Sequence, residues 1–283
     1  MCPRVPITKK YYGDTKRPNR ARIEELAGRY CVVHSVVPTR FVAVIPARFA
    51  SSRFPGKALA PLGGKPMLQH VYERAQLSRY LTNVLVATDD ERIASAVRAF
   101  GGRVQMTRSD HASGTDRVAE IASSEEAALY VNIQGDEPLI DPEAIDAAIL
   151  AAHGDESVSM CTLKKHITDS AEILNTNVVK VVTNLAGDAI YFSRCPIPHE
   201  RDGPSGLPLF FKHVGLYVYR RDFLLRYPEL VVGPLERAEQ LEQLRALENG
   251  YRIRVVDTEY ESIGVDTPED LQRVQESFGM AKS

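Results

Sequence analysis

Residues 46–57 read P-A-R-F-A-S-S-R-F-P-G-K and set three cations, Arg48, Arg53 and Lys57, beside Gly56 and the hydroxyls of Ser51 and Ser52. Guanidinium forks match phosphate oxygens in pairs, an ammonium adds a mobile point charge, and glycine lets backbone N–H groups approach an anion closely. The chemistry open to such a set is the holding of a polyphosphate. A solvated basic loop is the plainer alternative, and the loop's position weighs against it. It leaves the apolar run Phe41-Val42-Ala43-Val44-Ile45, which reads as a buried first strand. Open α/β sheets bind their ligands at the carboxyl ends of such strands.

Neither common phosphate motif is present. Lys57 is followed by Ala58, so no G-x-x-x-x-G-K-[ST] occurs, and no G-x-G-x-x-G follows the first strand. P-loop NTPases and dinucleotide-dependent oxidoreductases lose ground accordingly.

Two carboxylates fall in similar places. Asp136 sits in Gln134-Gly135-Asp136-Glu137-Pro138 after an apolar run, and Asp266 ends Ser262-Ile263-Gly264-Val265-Asp266 just before a helix. Mg2+ takes one or two carboxylates plus phosphate oxygens, so this pair near a triphosphate suits it. The alternatives are a turn former for Asp136 and part of a helix cap for Asp266, a serious alternative there because Thr267 already supplies the N-cap, whereas the adjacent glycine and the strand-end placement favour the metal for Asp136. The seven histidines are dispersed at no metal-binding spacing. His213 lies in the apolar stretch Phe211–Tyr219, where strand alternation puts Phe211, His213, Gly215, Tyr217 and Tyr219 on one face. That face suits a polyol pocket as readily as a half-buried aromatic strand.

The elements that must carry these residues follow from periodicity. Strands are predicted over 41–45, 83–88, 103–107 and 128–133, with helices over 67–78, 91–100, 115–122 and 142–152 between and after them. Such alternation implies parallel strands with helices on both faces. The rhythm then changes. Residues 157–164, 178–183, 189–192 and 211–219 read as strands without full helices between them, which suggests an antiparallel extension or lid. A long helix over 234–248, a strand over 251–257 and a helix over 267–278 complete the pattern, the last opened by Thr267, Pro268 and two first-turn acids.

Composition narrows the classes. With 283 residues, 44% hydrophobic and 25% charged, the chain reads as a soluble globular protein of one large or two small domains, and no apolar run approaches a membrane span. A net charge of −2 offers no general attraction to nucleic acid or membrane. Residues 1–40 carry nine Lys/Arg against three Asp/Glu, leaving 26 against 34 in residues 41–283. The cationic loop therefore stands out from a mildly acidic body. Residues 1–40 read as a poorly ordered or accessory extension, lacking a signal peptide's apolar core, and residues 41–283 as the folded domain, which the resemblance below makes catalytic. Cysteines at 2, 31, 161 and 195 form no C-x-x-C pair, which fits a reducing cytoplasm.

Taken in order, nine segments carry a family resemblance: I-P-A-R-F-A-S-S-R-F-P-G-K, V-A-T-D-D, T-R-S-D-H-A-S-G-T-D-R, N-I-Q-G-D-E-P, N-V-V-K-V-V, Y-F-S-R, K-H-V-G-L-Y-V-Y, P-L-E-R-A-E-Q-L-E-Q-L-R and G-V-D-T-P-E-D-L. From about Phe41 to Phe278 the chain resembles the 3-deoxy-manno-octulosonate (Kdo) cytidylyltransferases, or CMP-Kdo synthetases. The resemblance implies a nucleotide-diphospho-sugar-transferase-like α/β sandwich with a mainly parallel sheet. It also implies a smaller antiparallel subdomain that makes a homodimer contact. The implied reaction transfers CMP from CTP to the anomeric C2 hydroxyl of Kdo, releasing pyrophosphate, for lipopolysaccharide biosynthesis in the cytoplasm.

The same resemblance implies roles. Arg48, Arg53, Lys57, Asp136 and Asp266 would be catalytic, with Asp136 and Asp266 holding Mg2+. Ala47, Ser51, Arg108, Ser113 and Gln134 would join Arg48, Arg53, Lys57 and Asp136 around the nucleotide. Gln134, Arg194, His213, Tyr217, Glu239, Glu242 and Gln243 would bind Kdo, with Arg194 on its carboxylate and Glu239 a turn before Glu242 on one helix. Three other readings compete with this one. A related 2-keto sugar acid, 8-amino-Kdo or sialic acid, would use the same groups. A GT-A-type glycosyltransferase usually carries D-x-D, where this chain has Q-G-D-E-P. A ligand sensor without catalysis should have lost Lys57, Asp136 or Asp266, and all three are present.

Overall fold

A computed structural model describes residues 39–50, 53–201 and 209–280, the side chains of 277–280 excepted. The extension read over residues 1–40 falls outside the described residues up to position 38, as does Ser51.

The apolar run at 41–45 forms the middle of the sheet because nothing in it tolerates water on either face. Strand β1 (Phe41–Ala47) is buried along nearly its whole length and pairs in parallel with β2 (Asn83–Thr88) and with β4 (Leu129–Asn132). Strand β3 (Val104–Met106) adds in parallel to β2. The helices between them cover both faces. Apolar residues of α1 (Met67–Ala75), α2 (Glu91–Ala99) and α4 (Pro142–His153) pack with Ala43 and Ile45 on one side. Those of α3 (Gly114–Ser124) pack with Val42 and Val44 on the other.

Beyond β4 the sheet continues with β5 (Met160–His166), β8 (Phe211–Arg220) and β9 (Ile253–Asp257), giving the order β9-β5-β8-β4-β1-β2-β3. Strand β8 runs antiparallel to both β4 and β5, whereas β9 is parallel to β5. After the short helix α5 (Ser170–Leu174), β6 (Lys180–Thr183) and β7 (Ala189–Ser193) form an antiparallel pair that joins the sheet through Lys212 of β8. The mainly parallel sheet with a small antiparallel annex is the architecture expected. Facing alternation along β8 also holds: Val214, Leu216 and Val218 enter one core, Tyr217 and Tyr219 the other, across a register shift between Val214 and Tyr217.

The strand expected to begin at 157 begins at Met160, because Asp155 takes the Ser157 amide and hydroxyl into a local turn. The one long helix expected over 234–248 is two. After the short α6 (Arg221–Arg226), α7 (Pro234–Glu239) ends where Gln240 adopts φ 54°, and α8 (Gln243–Glu248) starts anew. Local propensity favours continuity through P-L-E-R-A-E-Q-L-E-Q-L-R. Tertiary bonds win. Ser193 and the Arg194 amide capture the Glu239 carboxylate, while the Arg194 side chain binds the freed carbonyls of Glu239 and Gln240. Helix α9 (Pro268–Met280) is capped reciprocally by Thr267 and Asp270, so the Asp266 side chain is not needed there.

Candidate active site

The cation loop leaves β1 and is folded back on itself at Gly56. The Gly56 amide donates to the Phe49 carbonyl at 2.8 Å, its φ of 74° lies in the left-handed region, and a Cβ there would sit 3.1 Å from the Phe49 ring. Only glycine meets both demands without strain. That turn aims Lys57 at the sheet's carboxyl edge. Its ammonium donates to Asp136 at 2.5 Å, to Asp266 at 2.9 Å and to the Val265 carbonyl at 3.2 Å. Arg53 reaches the other oxygen of Asp266 at 2.8 Å. Burial works against the charge on Lys57, but Asp136 and then Asp266 outweigh it and raise its pKa.

Two carboxylates far apart in sequence thus share one cation. The donor set fits Mg2+: two aspartates and no larger cluster of His, Cys, Asp or Glu among the described residues, leaving coordination positions for phosphate oxygens and water. The Lys57 ammonium lies between them and pairs with both.

Arg48 lies at the opposite side of the loop. Its Nη2 donates to the carbonyls of His111 at 2.6 Å and Ser113 at 3.2 Å, tying β1 to the start of α3. Ser113 and Asp116 close a capping box, so the Ser113 hydroxyl is spent on the helix. Ala47 is buried at the end of β1. Arg108 points outward and pairs with Asp110 at 3.1 Å, at the rim rather than inside.

Beside this centre lies a cavity of about 240 Å³, room for a monosaccharide and below the ~300–1,000 Å³ of pockets for larger ligands. Gln134, Tyr217, Glu242 and Gln243, to which the family resemblance gives Kdo-binding roles, line it together with Thr115 and Asn132, which that reading did not single out. Tyr217 donates to the Gln243 side-chain oxygen at 3.2 Å, and Thr115 donates to Glu242 at 2.9 Å. Burial raises the Glu242 carboxyl pKa against the opposing pull of the Thr115 hydroxyl. Asn132 Oδ1 and Gln243 Nε2 are buried without a hydrogen-bond partner among the described residues. One is an acceptor and the other a donor, so a ligand hydroxyl could satisfy both.

Three residues with implied sugar-binding roles also make bonds within the protein. Arg194 directs Nε at the Glu239 carbonyl at 2.7 Å, Nη1 at Thr176 at 3.1 Å and Nη2 at Gln240 at 3.4 Å, so its guanidinium braces the turn that forms the cavity wall. Glu239 spends its carboxylate on Ser193 and the Arg194 amide and does not share a continuous helix face with Glu242. His213 is wedged between Phe192 and Tyr217, with Nε2 2.8 Å from the Thr162 hydroxyl, and burial pushes its pKa down to about 3. It is a neutral support under Tyr217.

Asn132 and Thr115 lie inside the segments N-I-Q-G-D-E-P and S-G-T-D-R, so the signal was there. Asn132 faces Tyr217 across the β4–β8 ladder, a pairing that required knowing the strand order. Leu241 also lines the cavity, and no local pattern could place it because it depends on the helix break.

Residues 42–254 match the family model described as Cytidylyltransferase. The chain is 67% identical over 242 residues to a 3-deoxy-manno-octulosonate cytidylyltransferase of Solibacter usitatus, covering 86% of this chain and 96% of the relative. It is 58% identical over 248 residues to the protein of that name from Geobacter metallireducens, covering 84% and 98%. Among solved structures it matches a CMP:2-keto-3-deoxy-manno-octonic acid synthetase complexed with CTP, with a TM-score of 0.82 and 45% identity over 86% of this chain and all of that one.

Proposed function

We propose that this chain, which belongs to the 3-deoxy-manno-octulosonate cytidylyltransferase family, transfers CMP from CTP to the C2 hydroxyl of Kdo and releases pyrophosphate. The observation that carries this reading is the junction of two unlike sites. A cation-and-carboxylate centre suited to a triphosphate adjoins a cavity lined by amides, hydroxyls and Tyr217, suited to a polyhydroxylated acid. Gln134 lines the cavity and Asp136, two residues on, enters the centre, so the α-phosphate and the sugar hydroxyl would meet across that short turn.

In the transfer, the C2 hydroxyl oxygen forms a bond to the α-phosphorus, the bond to the β-phosphate oxygen breaks to release pyrophosphate, and the hydroxyl proton passes to solvent. The reaction asks the protein for alignment and charge neutralisation. Lys57 and Arg53 are placed to offset charge on the departing pyrophosphate. Arg48 holds the loop against the start of α3, and Gly56 fixes the direction of Lys57. Gln134, Tyr217, Gln243 and Glu242 orient the sugar, and Arg194 holds the wall from which the last two project. Asp136 and Asp266 would hold Mg2+, which would draw charge from the phosphate oxygens when bound.

A homodimer fits the β6–β7 annex, where Leu185 and Ile190 are largely exposed. A reaction that draws on CTP is in keeping with the cytoplasm, where its product would serve lipopolysaccharide assembly. The test is pyrophosphate release with each of four NTPs against Kdo, 8-amino-Kdo and sialic acid, with and without Mg2+. CTP with Kdo and Mg2+ should exceed every other combination by at least roughly tenfold, since buried polar groups left unpaired penalise the wrong ligand. Equal turnover with ATP would refute the cytidylyl assignment.

A further inference from the structure

Asp136 and Asp266 come from loops far apart in the chain, and the second follows a stretch, 258–266, that forms no helix or strand. Something must hold two irregular segments in register. One backbone bond does part of it: the Val265 amide donates to the Asp136 carbonyl at 2.9 Å. Val265 itself is fully buried with Leu62, Met67 and Val274, which anchors the residue next to Asp266.

The side chain next to Asp136 does the rest. Glu137 turns away from the site into the protein and is only 6% exposed. Its Oε1 accepts from the Ser262 hydroxyl at 2.8 Å and its Oε2 from the Tyr260 hydroxyl at 3.1 Å. Tyr260 is buried too, packed into the core under the sheet. A buried carboxylate is retained only when both its oxygens are satisfied, and here the satisfying groups both come from the segment that ends in Asp266. Because both oxygens are engaged, Glu137 is not a third ligand beside the two aspartates. It spans the same two segments that the catalytic pair spans.

We propose that Glu137, Tyr260 and Ser262 form a brace of positioning residues that sets the spacing of the Asp136 and Asp266 carboxylates. The proposal rests on the reading that this pair holds a divalent cation with CTP. Loosening the brace lets the Ser262–Asp266 stretch, which includes Gly264, drift relative to Asp136, and weakens a site that needs both carboxylates at once. Outer partners of metal-binding side chains typically contribute about 10–100-fold to metal affinity. Removal of one hydroxyl is expected to cost less than that range, and removal of both to reach its lower end, roughly tenfold.

The experiment compares Tyr260→Phe, Ser262→Ala, the double variant and Glu137→Gln with wild type. Three quantities are read: Mg2+ at half-maximal rate with saturating CTP and Kdo, Mn2+ affinity of the enzyme–CTP complex by electron paramagnetic resonance, and melting temperature. The double variant should need roughly tenfold more Mg2+ and bind Mn2+ correspondingly more weakly, with the Kdo KM within about twofold of wild type. Glu137→Gln should stay close to wild type, because both hydroxyls can reverse direction and the amide still links them. Loss of rate in proportion to melting temperature, with the Mg2+ requirement and Mn2+ affinity unchanged, would overturn the brace. A wild-type enzyme indifferent to divalent cations would instead overturn the two-carboxylate reading on which the brace rests, a result visible before any variant is made.

Discussion

Replacing Lys57 by methionine tests the electrostatics of the centre more sharply than any assay of turnover. The ammonium neutralises Asp136 and Asp266 together, at 2.5 and 2.9 Å, with side-chain exposures of 17% for the lysine, 26% for Asp136 and 45% for Asp266. Fully buried charge-assisted bonds contribute ~1.5–3 kcal/mol each; solvent at Asp266 reduces its share to ~1 kcal/mol or less. Loss of both bonds, with Asp136 left without its cation and Asp266 keeping Arg53, should cost about 2 kcal/mol in all. For a domain of this size that lowers Tm by about 4–8 °C. Divalent cation should reverse the loss. In wild type a cation would have to displace Lys57 from both carboxylates, whereas in Lys57→Met it would compete only with Arg53 at Asp266. At a hundredfold excess over its Kd, Mg2+ stabilises by about 2.7 kcal/mol, so the variant's Tm should rise with Mg2+ by more than the wild-type value does. Turnover should nevertheless stay down by roughly a hundredfold or more, because the charge offered to the leaving pyrophosphate is gone. The assay is differential scanning fluorimetry across a Mg2+ titration, alongside pyrophosphate release. An identical Mg2+ response in the two proteins would refute the idea that Lys57 occupies the cation's place.

Asn132→Leu removes the unpartnered acceptor of the cavity while keeping its volume; the Kdo KM should rise roughly tenfold with the CTP KM unchanged, and equal change in both would assign Asn132 to packing. Arg194→Ala should lower Tm and raise the Kdo KM together, because the arginine supports the Gln240 turn, and Arg194→Lys should rescue poorly for want of three separately directed donors. A raised KM at unchanged Tm would show instead that Arg194 acts on the ligand alone. His213 has a folded pKa of about 3 against 6.5 in the unfolded chain, so the folded state binds fewer protons between those values. Its contribution is therefore present above about pH 6.5 and is lost as pH falls toward 3, at up to ~1.4 kcal/mol per pH unit. Urea unfolding at pH 7 and pH 5 should show a shallower decline for His213→Gln than for wild type, and parallel declines would refute the assignment.

Residues 46–57 were legible because their signal is local. Cations, glycine and a preceding apolar run mark a candidate phosphate loop at a strand end wherever the rest of the chain goes, and β1 through α4 obey the same logic of period and cap. Glu239, Arg194 and Leu241 were not legible in that way. The stretch 234–248 has a continuous helical pattern, and only bonds from β7 and Arg194, residues distant in the chain, break it at Gln240 and turn its second half into a cavity wall. Asp266 is intermediate. Its place before a capped helix could be read from Thr267 and Asp270, but its meeting with Lys57 depends on the order of the strands and on the segment braced by Glu137. Propensity and periodicity act over a few residues. The spacing of charges that do chemistry together is set by contacts across the whole chain, and those exist only once the sheet has closed.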